Sequence, residues 1–79
     1  MKLSRNVSGD ALARALRKHW GYAKVHQVGS HIILQTEVPS SHRISIPAHS
    51  PLRIGTFNAI LRSVAAHKAI SREQIVASL

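Results

Sequence analysis

A histidine stands at the start of an apolar stretch of this sequence. His31 directly follows Gly29-Ser30, a pair typical of a two-residue hairpin turn, and it precedes Ile32-Ile33-Leu34. An imidazole with an ordinary pKa near 6.5 exchanges protons close to neutral pH, so His31 is suited to act as a general base. The alternative is a surface histidine beside a turn. Taken alone, the local residues favour that structural interpretation.

Other catalytic chemistries find little support in the composition. The three acidic residues, Asp10, Glu37 and Glu73, fall on different predicted elements, whereas two-metal nucleases need clustered carboxylates. The sequence has no cysteine, and no two histidines have the i, i+4 spacing of a helical zinc site. A Gly-x-Ser-x-Gly nucleophile elbow is also absent. We therefore expect no metal site, no cofactor and no serine-hydrolase triad.

The charge balance points to a polyanionic partner. Eleven Lys and Arg residues stand against three acidic residues, which gives a formal net charge of +8. Nucleic acid is the partner that such an excess favours most, while an acidic protein or an anionic membrane surface are the alternatives. The basic residues are spread along the chain, which predicts a folded basic surface rather than a basic arm.

Length and cysteine content limit the architecture. With 79 residues the chain forms one domain at most, here expected to span residues 1–79. No apolar run approaches the roughly 20 residues of a membrane helix. The lack of cysteine fits a cytoplasmic protein.

The predicted elements alternate in a simple order. Ser8 as N-cap, Asp10 in the first turn and Gly21 as the stop predict a helix over 9–19. Three antiparallel strands follow at 22–28, 31–37 and 42–46. A second helix starts at Gly55 or Thr56, because Phe57, Ile60, Leu61 and Val64 recur at i, i+3, i+4, i+7. Ser71 and Gln74 form a capping box for a third helix over 72–78. Helices covering one face of such a sheet make a two-layer α+β domain.

Strand alternation then predicts which residues accompany His31. If Ile32 and Leu34 face the core, His31 faces outward. Val25, Ile44 and Ile46 are expected to point inward in the same way. Four further residues would then share the outer face with His31, namely Lys24, His26, Arg43 and Ser45.

Three segments of the chain resemble the HicA family of toxins from bacterial and archaeal toxin–antitoxin pairs. They are "GSH" at 29–31, "SIPAH" at 45–49 and "LRIGTFNAIL" at 52–61, in the family's order and spacing. The likeness covers about residues 8–76. Two departures are Ile32, where many members have a polar or basic residue, and Phe57, where leucine is usual.

The resemblance implies a double-stranded-RNA-binding-domain-like fold, α-β-β-β-α, and an endoribonuclease that cleaves mRNA and is neutralised by a HicB-type antitoxin. His31 matches the family's catalytic histidine, because it directly follows Gly29-Ser30. RNA supplies its own nucleophile, the ribose 2′-hydroxyl, so the side chain needs only to take that proton. Gly29 and Ser30 would contact phosphate in addition to forming the turn.

Other residues are candidates for binding and proton transfer. We expect Lys24 and Arg43 to neutralise RNA phosphates, with a solvated basic strand edge as the alternative. Candidates for a second proton carrier are His26, His42 and His49, although His49 is expected mainly to stabilise its loop. Two other functions remain open: a non-catalytic RNA-binding module of the same fold, and a DNA-binding or protein-interaction domain.

Overall fold

The computed structural model describes residues 7–79 and confirms the α-β-β-β-α order in two layers. Its elements are α1 (Gly9–His19), β1 (Ala23–Val28), β2 (His31–Thr36), β3 (His42–Pro47), α2 (Ile54–Lys68) and α3 (Arg72–Ala77). The third strand runs one residue further than predicted, to Pro47, and α2 starts at Ile54, before both predicted starts. Residues 1–6 of the expected domain lie outside the described part. Within that part, none of the helices has the length and apolarity to cross a membrane.

Helix α1 begins and ends where its capping signals lie. The Ser8 side chain accepts a hydrogen bond from the Ala11 backbone N–H, and Asp10 lies in the first turn. At the other end Gly21 has a φ of +74°, and the backbone N–H of Tyr22 donates to the Leu16 carbonyl. This left-handed turn closes the helix and directs the chain into β1.

The three strands form an antiparallel meander in the order β1-β2-β3, and the helices cover one of its faces. Ile32, Leu34 and Ile46 are buried on that face, as predicted, and belong to one core with the apolar side chains of both long helices. Burying a side chain of this size stabilises the fold by about 1.5–3 kcal/mol. The core therefore fixes the strand register and turns His31 to the other face.

The first strand departs from the predicted alternation. Its pairing with β2 shifts between Lys24 and His26, so that Lys24 lies opposite Leu34 while His26 lies opposite Ile33. Such a bulge adds one residue to a strand and reverses the faces of what precedes it. The prediction that Lys24 shares the face of His31 is therefore wrong, because Lys24 faces the helices. Val25 was predicted to point inward and is instead 46% exposed.

A close backbone contact joins α1 to the end of β3. A Cβ atom added to Gly9 would lie 1.8 Å from the Pro47 carbonyl oxygen, so only glycine fits there. The Gly9 backbone N–H donates to the His49 carbonyl at 2.9 Å. The first residue of α1 thus holds the loop that follows β3.

The C-terminal helices follow their sequence signals. The predicted stripe of α2 is buried: Phe57, Ile60, Leu61 and Val64. Helix α2 is capped at its C-terminal end by Ala69, which has a left-handed φ of +56° that normally favours glycine. The predicted capping box of Ser71 and Gln74 is confirmed, and Ile75 is buried beneath it.

Candidate functional site

The sheet has one face that no described helix covers, and we call it the open face. The pairing brings its side chains into three rows across the sheet: Val28, His31 and Pro47; His26, Ile33 and Ser45; and Ala23, Gln35 and Arg43. The predicted outward positions of His31, His26, Ser45 and Arg43 are therefore confirmed, and all four are open-face residues.

His31 is the first residue of β2 and is exposed. It pairs with Val28 on one side and Pro47 on the other, so Gly29 and Ser30 are the two residues of the hairpin loop. Gly29 has a φ of +59°, and a Cβ atom there would meet no atom within 4 Å. Glycine is needed for its backbone conformation rather than for space. The Gln27 side chain steadies the turn by donating to the Gly29 carbonyl.

The two motifs around His31 are hydrogen-bonded to each other. The Ala48 backbone N–H donates to the Ser30 carbonyl at 2.6 Å, which joins the hairpin turn to the loop after β3. His49 follows in that loop, with its own carbonyl bonded to Gly9 and its side chain exposed. The "GSH" segment at 29–31 and the "PAH" segment at 47–49 thus lie at the same end of the sheet. His31 is located at their junction.

His26 is the ionisable open-face residue that the register brings nearest to His31. It lies opposite Ile33, one diagonal step from His31, and Ser45 occupies the corresponding diagonal on β3. Diagonal neighbours in an antiparallel sheet are about 7–8 Å apart. An imidazole and a hydroxyl therefore flank His31 within reach of one bound phosphodiester.

Arg43 shares the open face but lies at its far end. It pairs with Gln35, four residues from His31 along β2, which is about 13 Å. Its Nε donates to the Gln35 Oε1 at 2.9 Å, and the Gln35 amide also bonds to Glu37. Arg43 can therefore meet a phosphate along the open face, but it does not touch a group bound at His31.

His42 occupies a different environment from the one a proton carrier beside His31 would need. It pairs with Thr36 at the opposite end of β2, on the face that packs against the helices. Its Nδ1 is 2.9 Å from the Tyr22 hydroxyl, its Nε2 is 3.2 Å from the Ser63 hydroxyl, and its ring stacks on His67 with centroids 4.3 Å apart. His42 thus joins β3 to α2 and has a structural role.

Burial determines the electrostatics of the cluster formed by Tyr22, His42, Ser63 and His67. Desolvation lowers the pKa of His42 below its ordinary value, and the charges of His67 and Lys68 lower it further. Burial also raises the pKa of Tyr22 to about 12. The Lys68 ammonium donates to the Thr36 hydroxyl at 2.9 Å and to the Val38 carbonyl at 2.6 Å. Sequence reasoning missed this cluster, since the residues that contact each other in it are 20 or more positions apart and share no motif.

Comparison with known proteins identifies the family. A family model described as HicA toxin of bacterial toxin-antitoxin matches residues 9–65, which include both motifs around His31. The comparisons with curated proteins and with solved structures give no match. Across residues 7–79, no group of three or more His, Asp or Glu side chains is arranged to hold a metal ion.

Proposed function

The chain belongs to the HicA toxin family of bacterial toxin–antitoxin systems, and on this basis we propose that it is a metal-independent endoribonuclease that cleaves mRNA in the cytoplasm and so inhibits translation. One observation carries the proposal. The exposed His31 lies at the end of the open face where the hairpin turn and the loop after β3 are hydrogen-bonded together. A side chain so located can reach an extended strand of RNA without any movement of the core.

His31 acts as the general base in this proposal. It takes the proton of a ribose 2′-hydroxyl, whose oxygen then attacks the adjacent phosphorus. The bond from phosphorus to the 2′-oxygen forms while the bond to the 5′-oxygen breaks, leaving a 2′,3′-cyclic phosphate and a 5′-hydroxyl end. A positioned base of this kind contributes about 10²–10⁴-fold to the rate.

The leaving 5′-oxygen needs a proton, and His26 is the candidate donor. It lies one diagonal step from His31 on the same exposed face, so the two imidazoles can contact opposite sides of one phosphodiester. Replacing His26 by glutamine should lower kcat more than it raises KM, and it should remove the alkaline limb of the pH–rate profile. Loss of binding alone would exclude proton donation by His26.

Phosphate binding involves the turn and the basic residues. Gly29 and Ser30 contribute backbone and hydroxyl contacts beside His31, and Arg43 binds a phosphate further along the open face. Such contacts hold the strand but carry no sequence information. Binding of RNA phosphates explains part of the net charge of +8.

The partner that neutralises the toxin is proposed to be a HicB-like antitoxin that covers the open face. An acidic antitoxin surface would bind the basic toxin quickly and compete with RNA phosphates. A stable complex requires an interface above about 1,000 Å². On a domain of this size, such an interface includes the surroundings of His31.

The test compares two histidine variants that both lose an exposed imidazole. His31→Ala should abolish toxicity in cells and RNA cleavage in vitro, whereas His19→Ala, at the end of α1, should retain both. Both variants should fold, since neither side chain is buried. Equal cleavage by wild type and His31→Ala, from clean preparations, would remove His31 from the mechanism. A wild-type chain that binds RNA and never cuts it would identify a non-catalytic RNA-binding module.

A further inference from the structure

A basic surface lies on the helix side of the sheet, away from the open face. It is a groove of about 540 Å³ between α1 and the start of β1, lined by Arg14, Arg17, Lys18, Tyr22, Ala23 and Lys24. A smaller depression of about 230 Å³ shares Arg14, Arg17 and Lys24 and extends to Gln27 and Ile32. We call the two together the α1–β1 groove.

Two independent features bring four cations to this groove. Arg14, Arg17 and Lys18 have the i, i+3, i+4 spacing that puts side chains on one face of a helix, and all three are exposed. Lys24 joins them only because the bulge in β1 turns it toward the helix side. With regular alternation, Lys24 would point to the open face instead. The bulge therefore completes the groove.

The lining determines which part of a nucleic acid fits. Among the residues that line the α1–β1 groove, Asp10 is the single carboxylate against four cations. The one aromatic residue there, Tyr22, is only 3% exposed and is hydrogen-bonded to His42, so it offers no ring for base stacking. Charge without a stacking surface suits the sugar–phosphate backbone rather than the bases.

We propose that the α1–β1 groove binds the RNA backbone at a position remote from the cut, an inference that rests on the proposed function. Strand β1 is an edge of the described sheet, and Val28 at its end pairs with His31. Lys24 lies four residues before Val28, about 13 Å along the strand. An RNA strand held in the groove crosses this edge to reach His31. The groove thus engages nucleotides flanking the cleaved bond and favours long substrates.

The first measurement is the affinity for an RNA that carries a 2′-deoxy nucleotide at the cut position and so stays intact. The triple variant R14Q/R17Q/K24Q is compared with R53Q/R62Q/R72Q, which removes the same charge from exposed residues outside the groove. The groove variant should lower the log–log salt slope by about 2, since each lost phosphate contact on a single strand contributes about 0.7. Its Kd should rise about 10- to 100-fold, with a smaller change in the control.

The second measurement separates binding from chemistry. The groove variant should raise KM on long RNA with kcat unchanged, and it should leave cleavage of a short oligonucleotide at the wild-type level. R14K/R17K, which keeps the charges, should retain wild-type affinity. A thermal unfolding midpoint equal to that of the wild type should show, for each variant, that the exposed substitutions leave the fold intact.

Three outcomes would overturn the assignment of the groove, and a fourth would overturn the proposed function. Equal losses in the groove and control variants would mean that net charge alone matters. A groove variant that binds RNA normally but loses the antitoxin would make the groove a protein-docking surface. If the wild-type chain cuts RNA and the groove variant binds and cuts it equally well, the groove has no role in RNA binding and the proposed function stands. If the wild-type chain neither binds nor cuts RNA, the proposed function itself is wrong.

Discussion

Gly9→Ala should destabilise the protein, although alanine is the better helix former. The added Cβ atom would lie 1.8 Å from the Pro47 carbonyl oxygen and 2.8 Å from the Pro47 carbonyl carbon. Both neighbours are backbone atoms, so α1 must move by ~1.5 Å to restore an ordinary van der Waals contact between the added Cβ atom and the Pro47 carbonyl oxygen. That movement also strains the 2.9 Å hydrogen bond from Gly9 to the His49 carbonyl.

The size of the effect follows from these two losses. Overpacking costs about 1–3 kcal/mol, and a weakened backbone hydrogen bond costs about 1 kcal/mol more. The higher helix propensity of alanine offsets up to about 1 kcal/mol. We therefore expect a net loss of about 1–3 kcal/mol in the free energy of unfolding. Because the contact holds the loop beside His31, RNA cleavage should fall as well.

Urea denaturation gives the measurement, and Gly55→Ala is its matched control. A Cβ atom at Gly55, in the first turn of α2, would meet no atom within 4 Å. The same chemical change should there raise stability by up to about 1 kcal/mol. The two midpoints should thus shift in opposite directions with similar m values. A Gly9→Ala variant as stable as the wild type would refute the close-approach argument.

Three further predictions address the helix end, the histidine cluster and the partner. Ala69→Gly should raise the unfolding free energy by about 0.5–1 kcal/mol in urea melts, since the φ of +56° at Ala69 is strained for alanine and not for glycine. A lower unfolding free energy for this variant would contradict the argument from backbone strain. Because the pKa of His42 is lowered in the folded chain, the unfolded chain binds the proton first as pH falls. The contribution of His42 to the free energy of unfolding should therefore be complete above about pH 7, decrease below about pH 6.5 and level off below the pKa of His42 in the folded chain. His42→Asn should flatten this pH dependence of thermal unfolding, and an unchanged profile would exclude His42 as its source. The purified complex with the antitoxin should leave RNA uncut, whereas a tight complex that cuts at the free toxin's rate would refute occlusion.

Local signals predicted most of the fold. Ser8, Asp10 and Gly21 bounded the first helix correctly, since capping depends on residues close in sequence. The Ser71–Gln74 capping box is equally local. The outward direction of His31 also followed from the sequence, because the buried Ile32 and Leu34 leave only one register.

The remaining features depend on contacts between distant segments. Nothing in "YAKVHQV" marks the bulge, which carries neither glycine nor proline, so alternation misplaced Lys24 and Val25. The stacking of His42 on His67 requires β3 and α2 to meet, and the sequence offers no periodicity for that pair. The steric need for Gly9 arises from the backbone of Pro47, 38 residues away. The catalytic role of His31 stays a prediction.

The proposed mechanism is tested most directly by the chemistry of the RNA ends that the purified toxin produces in excess EDTA. This mechanism predicts a 2′,3′-cyclic phosphate, or the 3′-phosphate formed from it, together with a 5′-hydroxyl. It also predicts no cleavage of a substrate with a 2′-deoxy nucleotide at the cut position, and no products of either kind from His31→Ala. A 3′-hydroxyl product that disappears on adding EDTA would contradict this mechanism and indicate metal-dependent hydrolysis.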